Sequence, residues 1–238
     1  METIVQVYSF TPEELSLTTG DVLQNKAKTP LVRDTGIDLL LTDLLAESAK
    51  RLRLRAGWVW DKATPLRIES GGVALDSLLF NTGDTVAEEL RGSDTAALFA
   101  ISCGDEFDRW SNRYFEVDDP LAGYLSDSIG LAAMDKALVL MLLRIEQALS
   151  SLGLSHSSPF SPGWYDWPCE ENLRLASALP EGFCGLRFAL GGALLPVNSR
   201  CGIIGIGRSV QPNADLLSSD SQADSYCRQR VLRRITGL

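Results

Sequence analysis

The sequence has little of what metal-dependent and hydrolytic sites are built from. Its 238 residues include a single histidine, His156, and five cysteines without a Cys-x-x-Cys pair. One histidine cannot build a multi-histidine metal site, and no Gly-x-Ser-x-Gly segment accompanies it as the base of a triad. The cysteine spacing indicates neither a zinc site nor a disulfide framework. We therefore expect no metal site, no catalytic residues, an exposed His156, and reduced, mostly buried thiols.

Positive charge and long apolar runs are also scarce. Lysines and arginines number 22 against 31 aspartates and glutamates, which gives a net charge of −9. Nucleic acids and anionic membranes attract basic surfaces, so neither is expected as a partner. The most apolar stretch, residues 137–145, is too short to cross a bilayer, and residues 1–10 lack the basic and apolar regions of a signal peptide. These absences predict a cytoplasmic protein.

Apolar residues are plentiful, at 45% of the chain, which is enough for one large domain or two small ones. Residues 1–10 alternate apolar and polar side chains and predict a strand at a sheet edge. Thr11 predicts a helix start, because Pro12 follows it directly and Glu14 lies three residues after it. Residues 35–55 predict an amphipathic helix. Residues 95–102 form an unbroken apolar run, which is typical of a central strand buried on both faces.

Weaker patterns lie between and after these elements. Residues 58–60, 65–68 and 71–75 predict three short strands separated by turns. Thr85, with glutamate three residues later, predicts a capping box that opens a short helix. Helical periodicity then predicts helices over residues 105–115 and from Pro120 to about residue 150. The second of these carries the main apolar stripe.

Residues 157–168, which we call the aromatic loop, contain three prolines and a glycine. Each proline restricts its own φ and disfavours helix at the residue before it, so this segment is predicted to be extended and rigid without being regular. The loop carries Trp164, Tyr165 and Trp167, large flat side chains that usually pack in a core unless a ligand stacks on them. An ordered loop of aromatic residues around a glycine indicates a ligand platform.

The segment after the aromatic loop predicts a short helix over residues 169–178 and strands over 185–190, 193–197 and 199–207. The three glycines of the last strand are not a dinucleotide fingerprint, because no helix follows them to bind phosphate. Glycines inside a strand mark a bulge or a close approach of the backbone to another group. That group is either a ligand or a packed aromatic side chain such as Trp164.

Two segments carry a resemblance to a known family. Residues 160–168 and 195–207 resemble the activation, or S-adenosylmethionine-binding, domain of cobalamin-dependent methionine synthase, and more closely the stand-alone bacterial proteins that consist of this domain. Weaker similarity extends over residues 98–104, 119–124 and 127–135. The resemblance implies an α+β fold with a twisted, mostly antiparallel sheet and flanking helices.

The resemblance further implies one activation-like domain over residues 1–238. Residues 1–94 would form its N-terminal helix and strand region, and residues 95–238 the core that carries the motif. The implied S-adenosylmethionine platform consists of Ser161, Pro162, Gly163, Trp164 and Tyr165.

Second candidates for ligand contacts are Asp135 and the strand edge that carries Ser199 and Cys201, since the predicted meander places Ser199, Arg200 and Cys201 beside the loop. Asp135 aligns near a glutamate of the family and would receive the sulfonium or amino group, or else it is a surface acid on the outer face of its helix. The chain departs from the family at Pro159, where the family has an arginine that helps to hold the ligand carboxylate. This departure places ligand affinity in question.

The function implied by the resemblance is that of an S-adenosylmethionine-binding accessory protein for reductive methylation of a corrinoid. The cobalamin would be supplied by the partner, a methionine synthase or related methyltransferase that lacks its own activation domain, and a flavodoxin-type protein would supply the electron. The alternative is a binding or regulatory module that keeps this fold and has lost S-adenosylmethionine. Pro159, and Trp164 in place of the family's tyrosine, motivate the alternative.

Overall fold

The computed structural model describes residues 3–24, 35–189 and 193–213, which form strands and helices of very different lengths. The strands are β1 (Thr3–Ser9), β2 (Arg55–Glu69), β3 (Gly72–Leu75), β4 (Leu78–Phe80), β5 (Thr95–Ser102), β6 (Ser155–Phe160), β7 (Arg187–Phe188), β8 (Leu194–Leu195) and β9 (Ser199–Gly207). The helices are α1 (Pro12–Leu15), α2 (Thr19–Gln24), α3 (Thr35–Arg51), α4 (Gly83–Glu89), α5 (Asp105–Glu116), α6 (Pro120–Ser150) and α7 (Asn172–Ser177).

Seven strands form one antiparallel sheet in the order β4-β3-β2-β5-β9-β6, and β1 pairs with the first half of β2. β7 and β8 form a separate two-stranded sheet. All eight residues of β5 are buried, and β5 lies between β2 and β9 as the apolar run predicts. The α+β class and the mostly antiparallel sheet are thus confirmed.

The core has two layers because side chains alternate across the sheet. Ala97, Phe99 and Ile101 of β5 pack with residues of α3, α5 and α6 in the larger apolar cluster. Ala96, Leu98 and Ala100 face the opposite side and pack in a second cluster, with residues of α4 and α7. The same alternation decides which side chains of β9 meet helix α6.

Several predicted boundaries are wrong where tertiary pairing decides them. The helix predicted over residues 35–55 ends at Arg51, because Arg55 already pairs with Ser9 and Ser102 in the sheet. Two of the predicted short strands are parts of the single 15-residue strand β2, whose register shifts between Trp60 and Pro65. A strand proline removes a ladder donor and is tolerated at such an irregularity. The capping box at Thr11 is confirmed.

The glycines of β9 make room for protein rather than for a ligand. A Cβ added to Gly202 would lie within 3.0 Å of the Phe160 carbonyl oxygen and of the Phe99 ring. One added to Gly205 would meet Ser93. Packing against an aromatic side chain is therefore the correct interpretation at Gly202, but the aromatic residue is Phe99 and not Trp164.

Three of the five cysteines, Cys103, Cys184 and Cys201, are buried free thiols, as expected. Cys169 is disulfide-bonded, so the expectation of reduced thiols is wrong for this residue.

In the described part of the chain, no helix is long and apolar enough to cross a membrane. Within the same residues, no group of three or more His, Cys, Asp or Glu side chains is placed to hold a metal ion.

Cys184 should be inert towards thiol reagents in the folded protein. Burial raises the pKa of its thiol to about 12, so only about 1 in 10⁴ molecules carries the thiolate at pH 8. A folded pKa above the unfolded value stabilises the fold below about pH 8.5, and this contribution falls as the pH rises towards 12. Ellman's reagent at pH 8 should label Cys184 only after guanidinium is added; rapid labelling of native protein at this residue would contradict the burial.

Candidate functional site

The first third of the aromatic loop is a strand rather than a loop. Residues 157–160 belong to β6, where Pro159 pairs with Ile204 and Phe160 with Ile203 of β9. Only the remainder, from Ser161 to Pro168, is irregular. The prediction of an irregular segment over residues 157–168 is therefore wrong at its start, because β9 offers a partner strand.

His156 is buried in the same strand, not exposed as predicted. Its Nδ1 lies 2.7 Å from the carbonyl oxygen of Ser157. A pairing with Ile206 in the sheet holds its backbone. His156 is thus packed within the sheet.

Backbone hydrogen bonds make the irregular part of the aromatic loop rigid. The N–H of Gly163 donates to the carbonyl of Trp167 at 2.7 Å, and the N–H of Trp164 donates to the carbonyl of Ser161 at 3.1 Å. Gly163 has φ +94°, which a side chain would strain, and Tyr165 has φ +51°. Left-handed non-glycine residues persist where the surrounding structure holds them, often at functional sites.

Asp166 ties the loop to helix α4. Its carboxylate accepts a hydrogen bond from the Thr85 N–H at 3.1 Å. Gly83, at φ +80°, lies so close to this carboxylate that a Cβ there would clash with it. The capping box predicted at Thr85 is therefore wrong: α4 begins at Gly83, and the acceptor at its start comes from the aromatic loop.

The three aromatic side chains of the loop point in different directions. Trp167 is buried in the apolar cluster shared with α4 and α7. Tyr165 is 42% exposed, and its ring lies 6.4 Å from that of Phe160. Trp164 is buried, with the guanidinium of Arg200 5.4 Å from its ring centroid. Of these three side chains, only Tyr165 presents a large aromatic surface to solvent.

Arg200 joins the loop to helix α6. Its side chain is only 4% exposed, and its Nη1 lies 2.9 Å from Oδ1 of Asp135, whose side chain is 36% exposed. Trp164, Arg200 and Asp135 therefore form one contact series from the aromatic loop through β9 to α6. Asp135 is not a free acid on the outer face of the helix, because its carboxylate reaches a strand of the sheet.

The other two predicted residues of β9 are placed differently. Cys201 is buried in the second apolar cluster, with its thiol 3.4 Å from Oδ1 of Asn172. The alternation of the strand thus separates Cys201 from the Arg200 side chain, which faces α6. Ser199 pairs with Ser102 at the start of β9; the residue is half-buried, and its Oγ is buried. The sequence prediction placed Ser199, Arg200 and Cys201 beside the loop but did not single out Arg200.

A buried carboxylate sets the position at which β9 begins. Asp108 of α5 accepts hydrogen bonds from the N–H of Val197 and from both the N–H and the Nδ2 of Asn198, the last two at 3.0 Å. A Cβ on Gly130 of α6 would clash with the Asn198 side chain. Two helices therefore hold the segment just before Arg200, an arrangement with no signal in the local sequence.

Several buried polar atoms of the aromatic loop and of the start of β9 lack a hydrogen-bond partner. Within the described residues there are seven such side-chain atoms, and four of them belong to the aromatic loop or the start of β9: Oγ of Ser161 and Ser199, and Nε1 of Trp164 and Trp167. Buried polar groups are nearly always paired in proteins, so such exceptions mark atoms that a bound molecule can pair with.

The candidate site therefore consists of the loop from Ser161 to Trp167 together with Asp135 and Arg200.

A search of solved structures matches the chain to one reported as "Crystal Structure of the MetH Reactivation Domain bound to AdoHcy". The TM-score is 0.54 at 13% identity, with 96% of this chain and 86% of that chain covered. The fold is that of the MetH reactivation domain. No protein-family model and no curated protein matches the sequence.

At this identity the match concerns the fold alone. The reactivation domain in that structure binds AdoHcy, which shares its nucleoside and amino-acid groups with S-adenosylmethionine. In the present chain, the candidate site contains the exposed ring of Tyr165, a guanidinium, a carboxylate and buried polar atoms that lack partners among the described residues.

Proposed function

We propose that this protein binds S-adenosylmethionine and supports reductive methylation of the corrinoid of a cobalamin-dependent methionine synthase or a related methyltransferase. The observation that carries the proposal is the reactivation-domain fold combined with unpaired buried polar atoms in the aromatic loop. The loop lies where the sequence resembles the family's ligand motif. Its internal hydrogen bonds reduce the ordering that ligand binding would otherwise cost.

Within the site, each group has a chemical task. The exposed ring of Tyr165 offers a face for the adenine base. The carboxylate of Asp135 is a counter-charge for the ligand's ammonium group. Oγ of Ser161 and Nε1 of Trp164 are buried without partners among the described residues and supply hydrogen bonds. When bound, the sulfonium nucleoside supplies a methyl group, and the protein orients it and excludes water.

The proposal includes the partners that the resemblance implies. The cobalamin would belong to a cytoplasmic methionine synthase or methyltransferase without its own activation domain, and a flavodoxin-type protein would be the reductant. The acidic composition, at a net charge of −9, favours a partner surface with basic residues. Co-purification with such a methyltransferase, followed by a salt-sensitive binding measurement, tests this part.

One observation favours a second candidate function, a binding or regulatory module that does not bind S-adenosylmethionine. At position 159, where the family has an arginine, this chain has a proline that pairs in β6 with Ile204. No guanidinium can therefore act from that position. Under this alternative, the Asp135–Arg200 ion pair serves only to join α6 to β9.

Isothermal titration with S-adenosylmethionine separates the two functions. We expect a dissociation constant below about 1 mM, and Asp135→Asn should weaken binding about tenfold because the ligand's ammonium loses its counter-charge, a difference of about 1.4 kcal/mol. Glu146→Gln, an exposed acid on the same helix, is the matched control and should leave the affinity unchanged. Absence of heat at 1 mM ligand with wild-type protein would favour the regulatory module.

A further inference from the structure

We infer that Arg200 supplies the guanidinium that the ligand motif lacks at position 159, and that it binds the carboxylate of the ligand's amino-acid end. The inference rests on the proposed function and assigns one residue within it. It concerns specificity, since a guanidinium at this place distinguishes ligands that carry a carboxylate from those that do not.

The burial of Arg200 is the first argument. A cation removed from water is costly unless it is paired, and replacing a buried ion pair by apolar side chains is often neutral or stabilising. Arg200 is 4% exposed in a strand whose residues from Cys201 to Gly207 are apolar or glycine. Stability alone does not explain an arginine at this position, so a role in binding accounts for it better.

The location of Arg200 is the second argument. Pro159 and Phe160 of β6 pair with Ile204 and Ile203 of β9, so continuing this antiparallel register brings the start of β9 alongside the aromatic loop. The contact between Arg200 and Trp164, at 5.4 Å, confirms the approach. The guanidinium thus reaches the loop from the strand next to β6.

The chemistry around Arg200 is the third argument. Guanidinium groups bind carboxylates through two parallel hydrogen bonds, and an aromatic face beneath the plane holds them in orientation. Trp164 provides that face, and Asp135 provides the opposite charge 2.9 Å away. An α-amino acid carries an ammonium and a carboxylate on one carbon atom, so a neighbouring carboxylate and guanidinium match both of its charges.

One unpaired buried donor belongs to the same contact. Nε1 of Trp164 is part of the ring beneath the guanidinium, and it has no hydrogen-bond partner among the described residues. A carboxylate at Arg200 would bring two acceptor oxygens to the indole that carries this donor.

The test compares S-adenosylmethionine with its decarboxylated analogue, which keeps the sulfonium, the base and the amino group. Wild-type protein should prefer S-adenosylmethionine about tenfold or more by calorimetry. Arg200→Met should bind the two compounds with about equal affinity, because without the guanidinium the ligand carboxylate no longer contributes to binding. Arg200→Gln, which keeps a polar side chain, should give the same collapse if the methionine variant does not fold. Arg67→Met, an exposed arginine of β2, is the control and should keep the wild-type ratio.

The outcomes separate the inference from the proposed function. If wild-type protein binds S-adenosylmethionine and a folded Arg200 variant keeps the full preference for it over the decarboxylated analogue, Arg200 does not bind the carboxylate, while the proposed function stands. If wild-type protein binds neither compound, the proposed function itself fails. A preference that is lost only in the Arg200 variants supports the inference.

Discussion

Replacing Asp108 with alanine is expected to lower the free energy of unfolding by about 3 to 5 kcal/mol. The carboxylate accepts hydrogen bonds from the Val197 and Asn198 N–H groups and from the Asn198 side chain, all of them buried. Alanine would leave these donors without an acceptor, and each unpaired buried donor costs about 1 to 3 kcal/mol. The segment that precedes β9 would lose its attachment to α5.

Urea denaturation followed by tryptophan fluorescence measures this change. Asp105→Ala is the matched control on the same helix, because Asp105 forms an exposed ion pair with Arg187 at 2.6 Å. Such pairs contribute about 1 kcal/mol or less, so the control should unfold close to wild type. If the two variants unfolded at the same urea concentration, the buried carboxylate would not be holding the start of β9.

Replacing Gly202 with alanine is expected to have the second-largest effect, a loss of about 2 to 3 kcal/mol. The added Cβ would lie within 3.0 Å of the Phe160 carbonyl and the Phe99 ring. The carbonyl belongs to the neighbouring strand β6, and Phe99 is fully buried in β5. Neither can retreat without separating the strands, so the methyl group strains the centre of the sheet.

Thermal unfolding by circular dichroism measures this loss, with Gly20→Ala as the control. Gly20 lies in α2, where the nearest atom to an added Cβ is Oγ1 of Thr18 at 3.4 Å. Alanine is a better helix former than glycine by about 1 kcal/mol, so the control should be neutral or slightly stabilised. A Gly202→Ala protein as stable as wild type would show that β6 and β9 are not packed this closely.

Local patterns predicted most elements because neighbouring residues decide them. The capping box at Thr11 and the fully apolar run of β5 needed no partner from elsewhere to be recognised. The errors occur where a distant segment intervenes. The helix α3 stops at Arg51 because the sheet takes up Arg55, and α4 starts at Gly83 with an acceptor from Asp166.

The candidate site divides in the same way. Prolines and aromatic residues in one short segment marked the loop, and the prediction of the residues from Ser161 to Tyr165 as a ligand platform remains a prediction. The strand edge from Ser199 to Cys201 was a second candidate, but Arg200 was not singled out within it, although a charge in an apolar, glycine-rich strand and the alternation of side chains were signals available in the sequence. The contacts of Arg200 with Trp164 and Asp135 had no signal in the sequence.

The chain by itself determined the central strand and the position of the rigid aromatic segment, since periodicity and prolines act between residues close in sequence. The class of fold followed from the family resemblance of two short segments. Only the tertiary structure decided that Trp164, Arg200 and Asp135 meet. The three residues come from a loop, a strand and a helix that are far apart along the chain. The pairing of β6 with β9 and the packing of α6 on the sheet bring them together, and no local pattern encodes those two contacts.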